Sequence, residues 1–294
     1  MLSLLIPTVA QGLLWALMAL GVYVTFRVLD IADLTVEGSF PLGAATAASM
    51  MVAGFGPLTA LLAAFVAGML AGVVTGILHT KMKIPALLAG ILTMIALYSV
   101  NLRIMGKANL SLLGVDTTFK IAKSALDLSM AQTTLVVGLA VTLIVGFFMY
   151  WFFGTQIGAA IRATGFNQQM IRAQGVDTDI TIILGLLLSN GLVAVSGALV
   201  AQSNGFSDVG MGTGTIVIGL ASVIIGEVLF GTRSFKNCLI SVVLGSIVYR
   251  IVIAAVLAMG MPPNDLKLFT SVLVAIALSM PLIKAKMGGR KAVR

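Results

Sequence analysis

Side chains that could carry chemistry are few in this sequence and lie far apart along it. The single Cys238 cannot form a disulfide within the chain, and the single His79 cannot assemble a histidine cluster around a metal ion. No Ser-His, paired-Asp or H-E-x-x-H arrangement is present, and no G-x4-G-K-[ST] loop could bind the phosphates of a nucleotide. The sequence therefore predicts a protein that is not an enzyme and has neither a metal site nor a cofactor.

The composition predicts an integral membrane protein. Hydrophobic residues make up 59% of the 294 residues and charged residues only 10%, against roughly 25% charged residues in an ordinary soluble domain. The net charge of +8 does not indicate a nucleic-acid partner, because the basic residues lie in short gaps between apolar runs and not on an exposed stripe with stacking aromatics. We therefore expect a chain that is embedded in membrane lipid.

The apolar runs predict an all-α protein with about nine transmembrane helices, within a range of about eight to ten, in which residues 1–294 form one transmembrane domain. The second run is a candidate broken helix, because Gly38, Pro41 and Gly43 interrupt it. The predicted spans are 5–25, 37–53, 58–79, 85–105, 131–152, 179–201, 214–230, 237–259 and 267–284.

The distribution of basic residues predicts the orientation. If the basic tail, residues 285–294, is cytoplasmic, twelve of the eighteen Lys and Arg residues lie inside, as the positive-inside rule requires. The opposite orientation inverts this ratio. We therefore expect the N-terminus outside and the C-terminus inside.

Polar groups inside the apolar runs could line the path of a solute. An ionisable side chain costs about 2.5 to 3.5 kcal/mol at the centre of a membrane helix, so Glu227 and Arg250 need compensation. A salt bridge between them is not expected, because at about 1.5 Å per residue they lie about 5 Å and about 20 Å from the inner ends of their spans. Glu227 is instead expected to hydrogen-bond near the inner interface. The candidate path residues are Glu37, Ser39, Tyr98, Asn101, Asn190 and Arg250. A hydrogen bond between helices is the alternative for each, and for Asn190 and Ser39 it is the favoured one.

Two segments between the spans are long enough to have a role of their own. The outer one, residues 106–130, contains GVDTTFKIAKSALDL and predicts a short interfacial helix. The inner one, residues 154–178, reads GTQIGAAIRATGFNQQMIRAQGVDT and predicts one or two short helices, with Gly165 and Gly175 as C-terminal stops. Such helices could dock a partner, whereas a solvated loop is the plainer alternative.

The inner segment carries a recognisable motif. Its pattern, G-x3-R-A-x-G-x-N-x7-G-[IV] from Gly158 to Val176, resembles the coupling segment of ABC-importer permeases of the branched-chain amino acid and ribose type. Residues 32–38 resemble the start of the second helix of that family, and 189–199 resemble the helix after the coupling segment. The stretches 83–93 and 101–106 are most similar to the tryptophan/tyrosine-type permeases. The residues matched to coupling are Gly158, Arg162, Ala163, Thr164, Gly165, Asn167, Gln169 and Gly175.

This resemblance implies a type II ABC-importer permease in a bacterial plasma membrane. Two permease subunits, here expected to be a homodimer, would work with cytosolic ATPase subunits and an extracytoplasmic solute-binding protein. The implied solute is an amino acid or a related small molecule. The outer basic residues Arg103, Lys107, Lys120 and Lys123 could contact acidic residues of the binding protein, or they could be lysines and an arginine that reach the interface.

A carrier of another class is the alternative. A secondary transporter driven by an ion gradient would use Glu37, Glu227 or Arg250 and would need no ATPase, so the coupling-like segment would be a coincidence.

Overall fold

The computed structural model describes residues 2–260 and, beyond them, residues 262, 265, 268–272, 274–276 and 279. Residues 2–260 form eleven α-helices and one pair of short strands. The long helices are α1 (Leu2–Tyr23, continued by a π-helical turn, Val24–Val28), α2 (Thr35–Val52), α3 (Pro57–Thr80), α4 (Ala86–Met105), α6 (Met130–Gly154), α9 (Thr178–Asn204), α10 (Thr215–Phe230) and α11 (Phe235–Ala258). The short elements are β1 (Asn109–Ser111), α5 (Thr118–Leu126), α7 (Gln156–Phe166), α8 (Gln168–Ala173), β2 (Phe206–Asp208) and a 3-10 turn, Val209–Gly212.

Each of the first eight predicted apolar runs coincides with one of the long helices. Within the described part of the chain, seven helices are long and apolar enough to cross a membrane, and only α2 of the eight falls short of that measure. Half of the ninth predicted span, 267–284, lies outside the described residues, and the basic tail lies wholly outside them. The chain is therefore a mostly helical, multi-pass membrane protein.

The prediction that the second run is a broken helix was wrong. Helix α2 is continuous through Pro41 and is buried along most of its length. Its glycines allow close packing against the neighbouring helices, since Gly38 lies against Leu97 of α4 and Gly43 against the backbone of Ala194 in α9. Gly and Pro in this run therefore mark close helix contacts and not an interruption.

Helix α9 forms the centre of the bundle, where small residues let neighbouring backbones approach. A Cβ added to Gly43 would lie 1.9 Å from the Ala194 carbonyl oxygen, and one added to Gly197 would lie 1.9 Å from the Phe40 carbonyl oxygen. Gly68 and Gly72 of α3 make similar backbone contacts with α9. The contact between α2, α3 and α9 therefore depends on residues without a side chain.

We expect Gly43→Ala to lower the thermal unfolding temperature of the detergent-purified chain. The added methyl group must push α2 away from α9, which costs about 1 to 3 kcal/mol in a well-packed core. Gly146→Ala is the matched control, because a Cβ at Gly146 of α6 meets no atom within 4 Å. Equal melting temperatures for the two variants would contradict this account of the packing.

The two ends of the bundle carry different structures. At one end, which we call the sheet end, β1 and β2 pair antiparallel with Asn109 opposite Asp208, and α5 lies nearby in the chain. This pair is a departure from the all-α prediction, because the two strands come from segments about a hundred residues apart and no local pattern shows them. At the other end, which we call the coupling end, α7 and α8 lie between α6 and α9. The predicted interfacial helix corresponds to α5, whose Phe119 is buried.

The chain between β2 and α10 returns into the bundle. Gly212 packs against the Glu37 carbonyl oxygen and Pro41 of α2, and the Gly214 amide donates to the Glu37 carboxylate at 3.1 Å. Gly214 has a φ of +82°, which favours glycine. This return places residues 209–214 beside α2 and α4, where they form one wall of a cavity.

Candidate coupling surface and translocation cavity

The predicted coupling segment forms two capped helices. The Thr155 hydroxyl accepts a hydrogen bond from the Gly158 amide at 3.3 Å and begins α7. The Asn167 side chain accepts from the Met170 amide at 3.0 Å and begins α8. Gly175, with a φ of +83°, follows the end of α8. Gly165 does not stop a helix as predicted, because α7 continues through it to Phe166.

One face of α7 is fixed tightly to the bundle. A Cβ on Gly158 would lie 2.2 Å from the Phe152 carbonyl oxygen, and one on Gly165 would lie 1.9 Å from that of Val28. The Thr164 hydroxyl lies 2.8 Å from that of Thr181 in α9. These three motif residues therefore hold α7 against α6, α9 and the end of α1, and they do not face outward.

α7 and α8 also expose three large apolar side chains. The Phe166 side chain is 90% exposed at the end of α7, and Ile157 and Met170 are 54% and 45% exposed. Asn167 and Gln169 lie between Phe166 and Met170 in the chain and are also exposed. We call these five residues the coupling surface. Sequence reasoning missed Phe166 and Met170, although a lone phenylalanine within a polar run was the available signal.

Arg162 lies at the side of this surface. Its guanidinium carbon is 5.3 Å from the centre of the Phe235 ring at the start of α11. Together with Arg27, Asp30, Gly165 and Phe166 it lines a cavity of about 420 Å³. Arg162 therefore connects α7 with α11, and Ala163 beside it is half-buried.

Ion pairs join the helices at the coupling end. Arg27 at the end of α1 makes a two-pronged salt bridge with Glu227 of α10, with Nε to Oε1 at 2.9 Å. Asp179 of α9 accepts from Arg172 of α8 at 3.1 Å and from Lys81 at 3.4 Å. Glu227 thus pairs near the end of its helix and not with Arg250, as its position in the sequence indicated.

Two of the candidate path residues form contacts between helices. The Ser39 hydroxyl donates to Asn190 Oδ1 at 2.7 Å, and Asn190 Nδ2 donates to the Asp33 carboxylate at 2.8 Å. All three side chains are buried. Ser39 and Asn190 therefore form the hydrogen bond between helices that was the favoured alternative for both. The contact of Asp33 with Asn190 was not predicted.

Arg250 of α11 lies apart from the other candidate path residues, beside α1. Its guanidinium carbon stacks 4.0 Å from the centre of the Trp15 ring of α1. A cation over an aromatic face recovers part of the lost hydration energy, so Trp15 supplies compensation that sequence reasoning did not identify.

The remaining three candidate path residues lie together. Glu37 of α2 and Tyr98 and Asn101 of α4 line a cavity of about 430 Å³, which residues 209–213 close on a third side. Asn101 is fully buried, and its Nδ2 donates to the Gly38 carbonyl oxygen at 3.3 Å. Within the described part of the chain, no three His, Cys, Asp or Glu side chains are grouped so that they could hold a metal ion.

The four outer basic residues are all exposed at the sheet end. Lys120 Nζ donates to the Val115 carbonyl oxygen at 2.7 Å. Arg103 lies at the end of α4, Lys107 in the following turn, and Lys120 and Lys123 on α5. They therefore belong to one end of the molecule, opposite the coupling surface.

Comparison with known proteins connects this architecture to transport. The family model described as branched-chain amino acid transport system / permease component matches residues 4–279. The chain is 41% identical over 278 residues to the tyrosine transport system permease protein of Clostridioides difficile (strain R20291), covering 95% of this chain and 91% of that protein. It is 30% identical over 271 residues to the galactofuranose transporter permease protein of Escherichia coli (strain K12), covering 90% and 75%.

Solved structures agree on the fold. An ABC transporter described as of metal-chelate type, in an inward-facing conformation, has a TM-score of 0.53 at 15% identity and covers 96% of this chain and 85% of its own. PsaBC from Streptococcus pneumoniae, in complex with Fab, has a TM-score of 0.52 at 16% identity, covering 93% and 89%. The chain belongs to the branched-chain amino acid transport system permease family and is a transmembrane permease subunit of an ABC transporter, a non-catalytic part of a machine whose ATPase is a separate subunit.

Proposed function

We propose that this permease forms the translocation path of an importer for an amino acid or a related small solute in a bacterial plasma membrane. Aromatic amino acids are the first solutes to test, because the relative with 41% identity is described as a tyrosine permease. A partner binding protein would deliver the solute, and a cytosolic ATPase would drive its passage.

The coupling surface carries this proposal. Phe166 and Met170 expose apolar side chains on a helix pair whose other face is fixed to the bundle. An exposed aromatic residue with polar neighbours is typical of a protein interface. Because α7 touches α6, α9 and the end of α1, a partner that moves α7 would move three helices together. In this proposal some of the eight matched residues anchor α7 to the bundle and the others contact the ATPase. The eight are Gly158, Arg162, Ala163, Thr164, Gly165, Asn167, Gln169 and Gly175.

The same proposal orients the chain. The coupling end would face the cytoplasm, with the N-terminus outside and the basic tail, 285–294, inside. We propose nine spans in one domain, namely the eight that coincide with described helices and a ninth over 267–284. The sheet end would then face the binding protein. Acidic residues of that protein would contact the four outer basic residues of this chain, Arg103, Lys107, Lys120 and Lys123. Two identical copies would complete the permease.

Purification of the chain from its native membrane in mild detergent tests the proposal. We expect an ATPase with the G-x4-G-K-[ST] motif to be recovered in equal amount, and reconstituted vesicles to take up labelled L-tyrosine or another amino acid only with ATP. Uptake driven by an ion gradient, with no ATPase in native or crosslinked samples, would instead support a secondary transporter. Crosslinking of the complex would show whether one or two kinds of permease subunit are present.

A further inference from the structure

The cavity between α2, α4 and residues 209–213 contains a buried hydrogen-bond acceptor without a donor. Asn101 is 0% exposed, and its Oδ1 atom has no hydrogen-bond partner among the described residues. Its Nδ2 atom is already engaged by the Gly38 carbonyl oxygen, so the orientation of the amide leaves Oδ1 free. A buried acceptor without a partner is costly, and a ligand with an N–H donor would remove that cost.

A second acceptor lines the same cavity. One carboxylate oxygen of the half-buried Glu37 accepts from the Gly214 amide at 3.1 Å, and the other has no hydrogen-bond partner within the described part of the chain. The cavity lining includes no Lys, Arg or His side chain. The lining therefore supplies the Gly214 amide nearby but no cationic side chain to the carboxylate.

The other lining groups leave few donors. The Thr213 hydroxyl donates to the Gly210 carbonyl oxygen at 2.9 Å, and Ser99 and Tyr98 carry the other two side-chain hydroxyls of the lining. Tyr98 adds an aromatic ring, whose face attracts cations. Two free acceptors, one of them charged, and an aromatic ring together favour a positively charged N–H donor.

We propose that this cavity binds the primary ammonium group of the solute, with Glu37 as the counter-charge and Asn101 Oδ1 as the second acceptor. The inference rests on the proposed import of an amino acid and deepens it, because it specifies which end of the solute the permease recognises. The volume of about 430 Å³ lies within the usual range for small-molecule sites, about 300 to 1,000 Å³.

The test measures binding to the purified chain in lipid nanodiscs by saturation-transfer NMR. The probes are L-tyrosine, tyramine, which keeps the ammonium and lacks the carboxylate, and 3-(4-hydroxyphenyl)propionate, which lacks the ammonium. We expect tyramine and tyrosine to bind and the deaminated probe to bind at least roughly tenfold more weakly, as loss of a charge-assisted hydrogen bond predicts. Equal binding of all three probes by the unmodified chain would overturn the proposal.

Glu37→Gln is the decisive variant, because it keeps the acceptor for the Gly214 amide and replaces the free, charged oxygen with an NH2 group. The affinity for tyramine should fall roughly tenfold, while binding of the deaminated probe should not weaken. Asp116→Asn, which removes a carboxylate at an exposed position outside this cavity, is the matched control and should leave the affinity for tyramine unchanged. Unchanged affinity in Glu37→Gln would overturn the proposal. The binding experiment uses the permease without an ATPase, so its result is independent of whether an ATPase is recovered with the chain. Failure of the proposed ammonium site and failure of the proposed importer function can therefore be told apart.

Discussion

Replacing Phe166 with aspartate is expected to remove the ATPase from the purified complex. Phe166 is 90% exposed, so the substitution disturbs no packing within the chain. A central aromatic residue at a protein interface commonly contributes several kcal/mol, so the affinity for the ATPase should fall by roughly 100-fold or more. Co-purification and ATP-dependent uptake into vesicles measure this loss.

Leu113→Asp is the matched control for that variant. Leu113 is 87% exposed, but it follows β1 at the sheet end, far along the bundle from α7. The control introduces the same charge at a site of similar exposure and should retain the ATPase. If Phe166→Asp retained it as well, or if both variants lost it, the coupling surface would not be the docking site.

Replacing Gly165 with alanine is expected to insert the protein normally and to lower its ATP-driven uptake strongly. The new Cβ would lie 1.9 Å from the Val28 carbonyl oxygen, so α7 must move away from the end of α1 by about 1 Å in a close-packed structure. A displacement of that size in a positioned element can cost about 100-fold in rate. We expect the ATPase to remain bound, because the exposed face of α7 is unchanged.

Gly154→Ala separates this effect from a general loss of helix geometry. Gly154 ends α6, just before α7, and a Cβ there meets no atom within 4 Å. Its uptake and ATP hydrolysis should match those of the unmodified complex. Equal uptake by Gly165→Ala would show that the contact between α7 and Val28 does not transmit motion.

The long helices were predictable because their cause is local. Helix α3, predicted over 58–79, spans Pro57–Thr80, and α4, predicted over 85–105, spans Ala86–Met105. An apolar run of about 20 residues between charged or turn-forming residues matches the bilayer thickness, and each helix satisfies its own backbone hydrogen bonds. The same reasoning failed for the internal structure of α2, because the cost of Gly38, Pro41 and Gly43 depends on the neighbouring helices.

The sequence also predicted one or two short helices over residues 154–178, and α7 and α8 lie there, but it did not show which way their residues face. Residue types and spacing identify Gly158, Arg162, Gly165 and Asn167, whereas the direction in which each faces depends on how α7 lies on the bundle. Gly165 therefore resembled a helix stop and is instead a point of close contact with Val28. Phe166, next to it, occupies a variable position of the motif and is the most exposed of the three apolar side chains of the coupling surface.

By itself, the sequence predicted a membrane-embedded helical protein and carried the motifs that resemble an importer permease, the family that the comparisons show. It also predicted a role in coupling for residues 154–178, which stays a prediction. Only the tertiary structure decided which polar residues satisfy one another and which do not. Asn190 and Ser39 are paired with each other, and Asn190 also pairs with Asp33, while Asn101 Oδ1 is left without a donor beside Glu37. The physical reason is that hydrogen bonding between helices depends on their rotation and height in the bundle, and packing of the whole chain sets both.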